Sequence, residues 1–134
     1  MNTNKKILIW REEILRIGKI SIIESFFDDY QYGVVFEDDG ETGYFYAINK
    51  DMEILDALHI YDVKNIIDKD VPSNVKILWL EDLSICILSI NNYYHAMYNF
   101  RNQESFCRNN FPKSNGGWCK NKNRMLTDEI IKRI

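Results

Sequence analysis

The chain has 134 residues, of which 46% are hydrophobic, 13% aromatic and 28% charged, the composition of one globular domain over 1–134 rather than of a disordered or collagen-like chain. Seventeen basic residues against twenty acidic ones leave a formal net charge of −3, which argues against a general DNA or RNA binder with its basic stripe. No apolar run approaches the roughly 20 residues that a membrane-spanning helix needs, and three cysteines, Cys86, Cys107 and Cys119, are an odd number with no disulfide-scaffold spacing.

The N-terminus is polar, and the apolar stretch after it is broken at Arg11, Glu12 and Glu13. No signal-peptide pattern is present, so the chain is expected to be cytoplasmic with reduced thiols. Ile7, Trp10, Ile14 and Ile17 fall at helical spacing, with Thr3 or Asn4 as a cap, which predicts a helix over 5–17. Lys6–Trp10 also reads as a short strand. Gly18 ends this element, and Lys19–Ser25 reads as a strand.

Tyr32–Glu37 and Thr42–Asn49 are rich in β-branched and aromatic residues, with Asp38-Asp39-Gly40-Glu41 between them. Asp-Gly between two such runs predicts a hairpin, because a type I′ turn needs positive φ at its centre. Glu53–Tyr61 follows as a third strand, with apolar residues on both faces. Asp62–Asn74 is a connection containing one helical turn near 62–67 and Pro72, which bars a central strand there. Val75–Leu80 and Ser84–Ile90 pair next, the second nearly all apolar and so interior. Asn91-Asn92 turns the chain into Tyr93–Phe100. Residues 101–124 read as polar and irregular, and Thr127 caps a last helix, Asp128–Arg133. Short turns force antiparallel neighbours. The predicted class is therefore α+β: a curled antiparallel meander of six to seven strands with an N-terminal and a C-terminal helix.

Charge is unevenly spread. From Glu24 to Asp62 eleven acidic residues face one lysine, a balance of −10, whereas Arg101–Ile134 carries eight basic and three acidic residues, a balance of +5. The two regions either attract each other inside one fold or leave a negative face that steers a basic partner. The acids Glu37, Asp38, Asp39 and Glu41 lack the alternating ligands and distal glutamate of an EF-hand loop. His95, Cys107 and Cys119 match no zinc motif, so no metal or other cofactor is expected. A Cys–His pair for nucleophilic chemistry is conceivable, but nothing in the spacing joins its members. There is no Gly-rich phosphate loop and no G-x-S-x-G. Tyr44 and Tyr46 alternate along a predicted strand beside these acids, and tyrosine is enriched at binding hot spots.

Through Val34–Ala47 (VVFEDDGETGYFYA) and Ile54–Tyr61 (ILDALHIY), with weaker similarity at Tyr94-His95-Ala96 and Cys107–Pro112, the chain resembles a family of small bacterial proteins of unknown function. The resemblance covers residues 19–118 and leaves the basic tail outside it. It implies no activity, cofactor or catalytic residue. Small single-domain families of this kind often act as immunity proteins, and the resemblance implies that role by analogy only. The first expectation is thus a cytoplasmic immunity protein that blocks a bacterial toxin, such as a basic nuclease. Glu37, Asp38, Asp39, Glu41, Tyr44, Tyr46 and Asp56 would form its partner-binding face. The alternative is a small-ligand binder or enzyme with a pocket of Asp56, His59, His95 and Tyr93.

Overall fold

Period-two alternation of β-branched and aromatic residues runs through most of the chain, and the computed structural model answers it with strands almost throughout. It describes residues 6–27, 31–109, 111–113 and 117–134. The strands are β1 (Ile7–Leu15), β2 (Ser21–Phe26), β3 (Tyr32–Asp38), β4 (Thr42–Asn49), β5 (Ile54–Asp62), β6 (Ser73–Leu80), β7 (Ile85–Ile90), β8 (Tyr93–Asn99) and β9 (Glu104–Cys107). A 3-10 turn, Val63–Asn65, follows β5, and one α-helix, α1 (Asp128–Lys132), follows β9 among the described residues. The strands form a five-stranded sheet in the order β1-β6-β7-β8-β9 and a four-stranded sheet in the order β2-β3-β4-β5. Their pairings are antiparallel.

One core joins the two sheets. Ile23, Val34, Phe36, Phe45, Ala47 and Leu58 from the smaller sheet pack with Val75, Ile77, Trp79, Cys86, Leu88 and Tyr98 from the larger. The sheets therefore face each other across an apolar layer. Trp79 Nε1 donates to Ser25 Oγ at 2.9 Å, and Tyr98 Oη donates to the Phe45 carbonyl at 2.6 Å. These bonds satisfy two buried polar groups and tie the sheets together.

The fold is mainly β, which corrects the α+β expectation. The predicted N-terminal helix is strand β1, paired with β6 from Ile7↔Leu80 to Leu15↔Ser73. Its register shifts between Ile9 and Arg11, so a bulge at Trp10 breaks the alternation and leaves apolar residues at helix-like spacing. The stretch 101–124 is not all irregular, because β9 adds to β8 through Ala96↔Cys107 to Asn99↔Glu104. The predicted turns hold with one change. Asn91 and Asn92 both have positive φ, 53° and 66°, as a type I′ turn requires. In the β3–β4 hairpin Gly40 takes φ 96°, but Asp39 is not in the left-handed region. Asp39 instead accepts from the backbone N–H groups of Glu41 and Thr42 at 2.9 and 2.8 Å. Those bonds hold its carboxyl below the usual aspartate range.

The two outer faces differ. On the larger sheet, register aligns Leu78, Ile87, Met97 and Phe106 in one cross-strand row. Leu126, Ile130, Ile131 and Ile134 pack on that row, so the C-terminal segment covers the β6–β9 part of this face, while Ile9, the β1 partner of Leu78, stays 54% exposed. No helix among the described residues is long and apolar enough to cross a membrane.

Candidate binding face

On the smaller sheet the inward positions are Ile23, Val34, Phe36, Phe45 and Leu58. Their neighbours in sequence must point outward. Register aligns these outward residues in two rows: Ile22–Glu37–Tyr44–His59 and Glu24–Val35–Tyr46–Ala57. Ile22 is 55% exposed and Phe26 37%, and Glu24 is exposed while Val35, Glu37, Tyr44 and Tyr46 are half-buried. Tyr44 and Tyr46 stack with centroids 5.9 Å apart. Burial, then the negative charge of Glu37, pushes the Tyr46 phenol up from its ordinary value. This face is thus apolar, aromatic and acidic.

Of the seven residues expected on a partner face, the structure places Glu37, Tyr44 and Tyr46 on these rows. Asp39 and Glu41 are exposed at the adjoining hairpin tip. Asp38 and Asp56 are turned the other way, which corrects the expectation for both. Asp38 is 0% exposed. Its Oδ2 accepts from the Gly18 amide and the Tyr61 hydroxyl, both at 2.7 Å, and its Oδ1 accepts from the Gly40 amide at 2.8 Å. Burial, then the hydrogen bond to Asp38, pushes the Tyr61 phenol far up. Gly43 makes room for this arrangement, since a Cβ there would lie 2.6 Å from the Tyr61 ring.

Asp56 is paired with Arg124, whose residue exposure is 1%. Arg124 Nη1 donates to Asp56 Oδ2 at 2.9 Å, and Nη2 donates to Oδ1 at 3.2 Å and to the Ala57 carbonyl at 3.0 Å. Ser105 Oγ donates to the same carboxylate. The acidic half and the basic tail therefore meet inside the fold. Sequence reasoning missed Arg124 and Ser105 as partners, because contacts 68 and 49 residues away leave no local signal.

The two histidines occupy different environments. His59 has an open cavity of 420 Å³ beside it, lined by Thr42, Tyr44, His59, Asp62, Asn109 and Phe111. His59 Nε2 is 3.0 Å from Asp62 Oδ1, and Nδ1 is 2.7 Å from Asn109 Nδ2. Asn109 Oδ1 accepts from the Phe111 amide at 3.0 Å, so the amide nitrogen is the one that donates to His59. That sets the tautomer with the proton on Nε2, donated to Asp62. Asp62, Asn109 and Phe111 were not foreseen here. His95 and Tyr93 do not line this cavity, so the expected pocket does not assemble as a unit. His95 packs edge-on to Tyr93 at 4.9 Å, and the Arg108 guanidinium lies 4.4 Å above the Tyr93 ring. Burial, then the Arg108 charge, pushes the His95 imidazole down to about 4.

Cys86, Cys107 and Cys119 are buried. Burial pushes the Cys86 thiol well up, as for a small hydrophobe in the core. Among the described residues no group of three or more His, Cys, Asp or Glu is placed to hold a metal ion.

A curated "Uncharacterized protein" of Haemophilus influenzae (strain ATCC 51907 / DSM 11121 / KW20 / Rd) is 36% identical over 85 residues, which are 61% of this chain and 53% of the relative. The chain spans about half the length of the curated relative it matches. No solved structure matches it. A family model does match, over residues 15–134 and so with the basic tail included, and the chain belongs to the family described as "Uncharacterized protein conserved in bacteria (DUF2251)".

Proposed function

We propose that the chain is a cytoplasmic immunity protein that binds and blocks a bacterial toxin domain, such as a basic nuclease, through the outer face of the β2–β5 sheet. One observation carries the reading. On the larger sheet Leu78, Ile87, Met97 and Phe106 lie beneath Leu126 and α1, whereas Ile22 and Phe26 on the smaller sheet stay open beside Glu24, Glu37, Tyr44 and Tyr46. An apolar and aromatic centre excludes water, and flanking acids select a cationic surface. Laid over the cationic active site of a nuclease, such a face would keep the substrate phosphates out.

The test is capture from the native host, using wild-type chain and the Glu24→Lys/Glu37→Lys variant as parallel baits. The reading expects one stoichiometric basic protein on the wild-type bait and its loss from the variant. Equal recovery on both baits would remove this face from consideration. A second reading, a small-ligand site, has the His59 cavity in its favour. Both ring nitrogens of His59 are held in hydrogen bonds, so the residues there favour holding a ligand over moving a proton.

A further inference from the structure

We infer that the cavity beside His59 seats an arginine side chain of the basic partner, between aromatic rings and against the Asp62 carboxylate. The inference rests on the basic-partner reading above and names the anchor within that interface.

Three rings frame the cavity. Tyr44 stands edge-on to His59 at 5.4 Å and 76°, and Phe111 stands edge-on to it at 5.7 Å and 86°. Both rings stand nearly perpendicular to the imidazole, and all three line the cavity. Ring faces attract cations through their quadrupole. The backbone brings these rings together from two parts of the chain: His59 pairs with Tyr44 across β4 and β5, and the His59 amide donates to the Phe111 carbonyl at 3.0 Å.

Charge decides the sign of the occupant. Among the described residues lining the cavity Asp62 is the one Asp, Glu, Lys or Arg, and Asn109 meets His59 Nδ1 with its amide nitrogen. Asp62 remains partly exposed, with Oδ1 3.0 Å from His59 Nε2. A neighbouring cavity shares Thr42 and Asp62 but adds Lys64 and Lys69 opposite Glu41, so its charges balance internally and it has less need of a cation. The His59 cavity also closes the acidic row that runs through Glu37 and Tyr44. A guanidinium suits it better than an ammonium. Its plane can stack on Tyr44 or Phe111 while its N–H groups reach a carboxylate.

The experiment titrates argininamide into the full chain and follows the His59 and Asn109 side-chain NMR signals. Saturable shifts are expected, with lysinamide and choline binding more weakly. Asp62→Asn is expected to weaken argininamide about tenfold, the effect of losing one modest charge contact. If Asp62→Asn collapses the fold, its amide spectrum loses dispersion, and Tyr44→Leu then decides by a several-fold loss in a folded chain. No saturable shift, tighter binding of lysinamide or choline, or wild-type affinity in a folded variant would overturn the inference. Failure here with partner capture still lost in Glu24→Lys/Glu37→Lys would dismiss the arginine seat and keep the face. Argininamide binding with capture unaffected by that variant would dismiss the face instead.

Discussion

Asp38 takes three hydrogen bonds at the end of β3, from Gly18, Gly40 and Tyr61. Removing its carboxylate strands those donors, so Asp38→Ala should cost about 3 kcal/mol in urea unfolding. Asp56 and Arg124 form a buried pair, and loss of one partner leaves the other charge uncompensated. Arg124→Ala should therefore cost about 3–5 kcal/mol. His95 sets a pH dependence. Its folded value is about 4 against 6.5 for the free side chain, so the unfolded chain protonates first as pH falls. The stability from keeping it neutral is intact above 6.5 and drains away between 6.5 and 4, by up to about 3 kcal/mol. His95→Gln should flatten that part of the profile, measured by urea unfolding at a series of pH values. The inward turn of Asp38 was legible in the parity of its strand, although it was not read so, whereas that of Asp56 was not, because its strand carries apolar residues on both faces. Asp38 shares parity with Val34 and Phe36, and Asp56 with Leu58, all of which are buried. What parity could not supply was the partner, since Tyr61 and Arg124 arrive from other strands and from the tail.

At the scale of elements, strands with clean alternation and good turns were legible almost to their ends. The expected Tyr32–Glu37 and Thr42–Asn49 are Tyr32–Asp38 and Thr42–Asn49. Strand β1 was misread because its bulge mimics helical spacing, and strand pairing with β6 overrides a weak local preference. Strand β9 was missed because Glu104-Ser105-Phe106-Cys107 is short and half polar. The last helix was foreseen from its cap. Thr127 Oγ1 accepts from the Ile130 amide at 3.3 Å, and Thr127→Ala should cost about 1 kcal/mol in chemical denaturation. This short helix matters more than its length suggests, because Ile130 and Ile131 cover Leu78, Met97 and Phe106. Ile130→Asp should uncover that row, measured as increased binding of an apolar dye by the folded chain.

The whole molecule is asymmetric in what it hides. Part of the acidic stretch is neutralised within the fold, through Asp56–Arg124, and the tail also pairs with Asp82 through Arg101 and with Asp128 through its own Arg108. The attraction between the acidic half and the basic tail thus accounts for some of the charge imbalance. Glu24, Glu37, Asp39 and Glu41 remain outside those pairs, grouped around exposed apolar residues and two stacked tyrosines. A face of that kind was only partly visible in the sequence, since counting acids along the chain does not separate the buried ones from those that a partner would meet. The decisive measurement of a basic partner on this face is the affinity of the captured partner for wild type and for Glu24→Lys/Glu37→Lys at low and high salt. Wild-type affinity should fall steeply with salt, and the variant should lose at least about tenfold at low salt. Equal affinities with the same salt dependence would contradict it.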